Sequence, residues 1–168
     1  MKNNLNIVPV ADIPLGENLV ISNSSKTLFE IYKTCMQLQV LCVLEKGVGI
    51  SAVQAGLPMK LFLVRYPQDN FRYFINCTFL PVDEEKITHL EGCLSLVNSK
   101  GQLRTFEVQR YKKIVVSGYE LIDQQNELVL KTLEGYYVEG YFAAVFQHEI
   151  QHDQGILISD IGKEVDIY

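Results

Sequence analysis

A chain of 168 residues with a formal net charge of -5 and no Lys/Arg run is not a nucleic-acid binder that works by bulk charge. No apolar run approaches the roughly 18 residues of a membrane span. Hydrophobic residues make up 48%, enough for a sizeable core, and the expectation is a single domain over residues 1–168. The start, "MKNNLNIVPVADIPLGENL", has neither a secretory apolar region nor an Arg-rich amphipathic presequence, so the cytoplasm is the expected location.

Residues 1–23 read as irregular, punctuated by Pro9, Pro14 and Gly16. The spacing of Leu28, Ile31, Tyr32, Cys35, Leu38, Leu41, Cys42 and Leu44 predicts a helix over 24–46, capped by Ser24 or Ser25 and ended by Gly47. "GVGISAVQAGLP" reads as a loop with extended segments. The period then changes. Strands are expected at 59–66 and 71–80 across the turn-like "PQDN", then a strand leading into "EEKITHLEGCLS". "LRTFEVQRY", "KKIVVSGYELI" and "ELVLKTLEG" predict three more strands, with "DQQN" (123–126) turning between the last two. A late helix is expected from about Tyr136 to Asp153, with Gly140 tolerated inside it and Gly155 stopping it. The tail, 156–168, is short. The fold class is therefore α+β: antiparallel or mixed sheets around a late, metal-binding helix, with an N-terminal helix.

The late helix carries "QHEIQH". Residues four apart share a helix face, so His148 and His152 present two imidazoles to one point. Glu149 leans over the same point as a carboxylate able to take a proton from water. The apolar "YFAAVF" upstream buries the helix where the histidines emerge, and buried imidazoles need partners. A catalytic metal needs a third protein ligand and an open position. His89 and Cys93, in "HLEGCLS", are the candidates. Gly92 allows a sharp turn just before Cys93, whose thiolate is a strong transition-metal ligand. His89 reads better as a partly exposed strand histidine. Cys35, Cys42 and Cys77 lie in apolar patterns and read as core thiols, not disulfide partners.

Three ordered motifs, "GVGISAVQ" (47–54), "EGCLS" (91–95) and "QHEIQH" (147–152), resemble those of the peptide deformylases. That family carries Gly-Φ-Gly-Φ-Ala-Ala-x-Gln (Φ apolar), Glu-Gly-Cys-Leu-Ser and Gln-His-Glu-x-Asp-His. The first motif departs at Ser51, where alanine is usual, and the third at Gln151, where aspartate is usual. Asp153 stands where the family has leucine, "LVNSKGQLR" lacks a usual proline, and the N-terminal Pro-Asp-Pro-x-Leu-Arg segment is absent.

The resemblance implies that Cys93, His148 and His152 bind one divalent metal ion, Fe2+ in cells, with Zn2+, Ni2+ or Co2+ as substitutes. It implies Glu149 as general acid/base, with Gln54 and the backbone N–H of Leu94 as oxyanion donors. Gly49 would pair with the substrate backbone as an added strand does, with Gly92 also expected at the substrate. Val48, Ile50, Leu94 and the Phe142–Phe146 region are candidates for an apolar methionine pocket, and each reads equally well as ordinary core. Arg104 and Arg110 are both candidates for a peptide contact, and the spacing does not choose between them. The activity implied is removal of the formyl group from N-formylmethionyl peptides or nascent chains, with ribosome association a further expectation. A related amidase or peptidase acting on another acyl-peptide would use the same residues. A metal-bound binding module would need neither Glu149 nor Gln54.

Overall fold

The computed structural model describes residues 5–20, 24–125 and 127–166. Helix α1 (Ser25–Leu44) starts where Ser24 accepts a hydrogen bond from the Thr27 N–H, the cap the sequence suggested. Its buried residues, Leu28, Ile31, Cys35, Leu38, Leu41 and Cys42, are those of the apolar stripe. The "GVGISAVQ" segment becomes strand β1 (Gly49–Ser51) and a 3-10 turn (Ala52–Ala55).

Strands β2 (Leu61–Tyr66) and β3 (Asn70–Pro81) follow, then β4 (Lys86–Val97), β5 (Leu103–Tyr111), β6 (Lys113–Gln124) and β7 (Glu127–Glu139). Helix α2 (Gly140–Asp153), the one-turn helix α3 (Ile158–Ile161) and strand β8 (Lys163–Val165) complete the order. The turn expected at 123–126 falls between β6 and β7, although Asn126 lies outside the described residues.

Two sheets form, and every ladder between named strands is antiparallel. One has the order β1-β2-β3-β6-β7, the other β4-β5-β8. The five-stranded sheet is covered on both faces, which explains why β2 reads as an unbroken apolar run. Leu61 and Leu63 point to the core around α1, whereas Phe62 and Val64 point to the core around α2. A third core, with Leu96, Phe106, Val108, Leu157 and Ile158, lies on the small sheet and includes Cys93. Helix α2 therefore sits where the two sheets meet. The cysteines are free and buried, as expected.

Two expectations are corrected. The late helix does not begin at Tyr136. Tyr136–Glu139 extend β7 and pair with β6, Tyr136 opposite Val116 and Glu139 opposite Lys113. Gly140 is the junction, not an interior residue: its φ of 64° is a left-handed conformation that glycine takes at least cost, and it turns strand into helix. Nor is there a sharp turn at Gly92. Strand β4 runs through it, and only the pairing with β5 lapses between Gly92 and Val97.

Candidate metal centre

Cys93 comes from β4, and His148 and His152 from successive turns of α2. Their ligand atoms all lie within 4.8 Å of one another, and Cys93 Sγ is 3.4 Å from His152 Nε2. Cys93 and His152 are each 1% exposed, while the His148 side chain keeps 11% and marks the open side. His89 is not part of this cluster.

The electrostatics suit a metal. Burial, reinforced by the charges of His148 and Arg110, holds His152 well below the ordinary imidazole range, so it is neutral as a ligand must be. Burial pushes the Cys93 thiol up to about 12, against hydrogen bonds from the Ser95 and Leu96 backbone. A thiolate in this place needs a cation beside it. His152 Nδ1 and Glu149 Oε2 are buried with no hydrogen-bond partner among the described residues. A cysteine sulfur with two imidazole nitrogens is a donor set that fits a divalent transition ion.

His148 Nδ1–H donates to Glu91 Oε2 at 2.9 Å, which leaves Nε2 free to ligate. Glu91 in turn accepts two hydrogen bonds of 2.7 Å from Arg110, and Arg110 also bonds Gln151. Burial raises the Glu91 pKa, but the hydrogen bonds from Arg110 and His148 and their charges outweigh it and hold the carboxyl at about 2. Gln151 thus takes the same guanidinium that fixes Glu91. The amide of Gln147 bonds both the N–H and the carbonyl of Tyr111, tying α2 to β5.

Glu149 lies against β1: a Cβ placed on Gly49 would come within 2.6 Å of Glu149 Oε1. Burial, then the charges of Asp153 and Glu91, raise the Glu149 carboxyl well above its ordinary value. Gln54 Oε1 accepts the Ser51 N–H at 3.0 Å, and its Nε2 points at Ser95 Oγ (3.1 Å) and Cys93 Sγ (3.5 Å). Leu94 stands in the stretch of β4 outside the ladder to β5. Ser51 and Asp153, both departures from the family pattern, touch each other: Ser51 Oγ donates to Asp153 Oδ1 at 2.9 Å.

A cleft of about 220 Å³ opens beside the triad, lined by Gln54, Leu94, His148 and Glu149 among others. Val48, Gly49 and Gly92 line it as well. Ile50 does not line it; its side chain is wholly buried in the core around α1. Neither candidate arginine faces the cleft: Arg110 is held by Glu91 and Gln151, and Arg104 pairs with Glu164 of β8. Leu103 occupies the wall there instead. His89, set aside on sequence, also lines the cleft. The missed signal is the strand period: with β4 running over residues 86–97, His89, Glu91 and Cys93 fall on one face.

The sequence model of the family described as polypeptide deformylase matches residues 9–166. The chain belongs to the polypeptide deformylase family. It is similar to the peptide deformylase of Desulforudis audaxviator, 36% identical over 114 residues, covering 68% of this chain and 66% of that one. That of Natranaerobius thermophilus is 31% identical over 120 residues, covering 71% of this chain and 69% of that one. The aligned part thus spans about two thirds of these deformylases' own length. Among solved structures, peptide deformylase from Thermotoga maritima superposes with a TM-score of 0.72 at 26% identity, covering 94% of this chain and 96% of that one. The deformylase fold is thus present nearly end to end.

Proposed function

We propose that this chain is a metal-dependent hydrolase that removes the formyl group from the N-terminal methionine of new polypeptides. The observation that carries the reading is the convergence of Cys93, His148 and His152 beside Glu149, which lines a cleft and whose Oε2 has no hydrogen-bond partner among the described residues. A divalent ion held by those three residues would lower the pKa of water, polarise the formyl carbonyl and favour the Glu149 carboxylate. Iron(II) is the proposed ion in cells, with zinc, nickel or cobalt able to replace it.

Glu149 takes the proton of the attacking water and gives it to the departing amine. Gln54 Nε2 and the Leu94 N–H are uncharged donors placed for the negative oxygen of the tetrahedral intermediate. Glu91 keeps His148 in the ligating tautomer. Strand β1 is an edge of its sheet, so the free side of Gly49 can pair with an extended peptide. The whole of residues 1–168 would serve as one catalytic domain, acting in the cytoplasm on chains emerging from the ribosome. A binding module is not favoured, because it has no use for a buried base and an amide donor aimed at one point.

Protein prepared without oxygen and loaded with iron should release formate from a formyl-Met peptide. Glu149→Ala should keep the metal and lose the activity. Formate release at the wild-type rate in that variant removes Glu149 as the base, and absence of release in the loaded wild type removes the reading.

A further inference from the structure

Helix α1 closes through a residue that its conformation does not favour. Gly47 N–H donates to the Cys42 carbonyl at 2.8 Å and Lys46 N–H to the Val43 carbonyl at 3.1 Å. These paired bonds close a helix through one left-handed residue, here Lys46, with a φ of 57°. Glycine takes that position at least cost, because it has no Cβ. A side chain is kept there all the same, and it is a cation that lines the cleft. Lys46 is the only Lys or Arg among the described residues of that lining. Its neighbour Glu45 is exposed and outside it.

Strand β1 sets the direction of a bound peptide. Glu149 lies against Gly49, whose free side takes an extended peptide under the deformylase reading above, on which this inference rests. Past Gly49, Ile50 and Ser51 are wholly buried, so a peptide has no room to run that way. In the other direction Val48 and Lys46 are exposed, and both line the cleft. A peptide whose formyl group lies at Glu149 therefore leaves along Val48 and Gly47 to Lys46. Lys46 is three residues from Gly49, roughly 10 Å at strand spacing, level with the third and fourth residues of the substrate.

We propose that Lys46 is a specificity-determining residue that favours an acidic side chain at the third or fourth position of the substrate. The net charge of -5 on the whole chain attracts basic peptides, so a preference for acidic ones marks a local cation. The test is kcat/KM for formate release at low ionic strength from two peptide amides, formyl-Met-Ala-Glu-Glu-Ala and formyl-Met-Ala-Lys-Lys-Ala. The wild type should favour the acidic peptide by roughly fivefold, the size of one exposed ion pair, and added salt should shrink the preference. Lys46→Gly removes the charge and relieves the backbone. Its urea midpoint should equal or exceed that of the wild type, while the ratio falls to about one or below. Lys46→Arg should keep the preference.

A lysine kept only for the helix end, where a cation suits the dipole, would leave the ratio unchanged in Lys46→Gly, and that result would overturn the proposal. So would a wild type that uses both peptides equally or prefers the basic one, or a preference that salt leaves untouched. If the iron-loaded wild type releases formate from neither peptide, nor from formyl-Met-Ala-Ala-Ala-Ala amide, the deformylase reading falls and this inference with it. That outcome is distinct from cleavage without preference.

Discussion

Gly49 and Glu149 meet more closely than any side chain on residue 49 would permit. The first atom a Cβ there would meet is Glu149 Oε1, the far end of a flexible side chain, so the fold can accept alanine by moving the carboxyl aside. Gly49→Ala should therefore fold and bind metal normally. A catalytic group displaced by about 1 Å costs on the order of 100-fold, and kcat should fall by about that factor. Metal content and urea midpoint, measured beside kcat, should stay near wild type; a lost fold or lost metal would contradict this account.

Ser51 and Asp153 form a second residue-scale unit. Burial raises the Asp153 carboxyl to about 7, against the Ser51 hydrogen bond and the charge of Lys60. Its Oδ1 accepts from Ser51, and its Oδ2 has no hydrogen-bond partner among the described residues. Ser51→Ala should cost about 1–3 kcal/mol by leaving a buried polar group unpaired. In an Asp153→Leu background the same change should cost little, because no carboxyl is left to satisfy. A urea double-mutant cycle should show coupling of about 1 kcal/mol or more; additive effects would mean that the hydrogen bond contributes nothing. Each departure is visible in the sequence on its own. Their contact spans 102 residues of chain, and no local pattern announces it.

Between elements, the tie is Arg110, which from β5 holds Glu91 on β4 and Gln151 on α2. The Glu91 carboxyl is held at about 2 against an ordinary 4.5, so the folded state favours its ionised form. The pair's contribution is complete above pH 4.5 and is lost as pH falls through 2. That amounts to about 3 kcal/mol of acid-sensitive stability. Glu91→Gln should flatten the fall in urea midpoint over that window, and an unchanged slope would place the acid sensitivity elsewhere.

Element identities were mostly legible in the sequence, since helix and strand periods differ and α1 and β2 each hold theirs for long enough to read. The start of α2 was not legible. Tyr136, Tyr137 and Val138 satisfy a buried strand and an apolar helix face equally well, and only pairing with β6 decides between them. His89 was legible as a partly exposed strand histidine, and it lies on β4 as read; the sharp turn expected at Gly92 does not form, because β4 continues through it.

The whole molecule joins its two sheets through the metal centre. Strand β3 pairs with β6, and the chain between them leaves to form the β4–β5 part of the second sheet. Sequence motifs brought out the candidate ligands but not this excursion, because strand order depends on pairing across long intervals that leaves no periodic mark. The consequence is mechanical: Cys93 belongs to one sheet and the histidines to the helix packed on the other.

An ion bound by all three ligands would hold the native arrangement and would have no equivalent site in the unfolded chain. At a free concentration near a thousand times Kd this linkage is worth about 4 kcal/mol, and about 1 kcal/mol shifts Tm by roughly 2–4 °C in a chain of this size. Chelation should therefore lower Tm by about 10 °C, and re-addition of nickel or cobalt should restore it. Cys93→Ser weakens the only ligand supplied by the small sheet and should shrink that response. If chelation leaves Tm unchanged while removing the metal, the ion does not bridge the two sheets energetically, and its role is confined to chemistry.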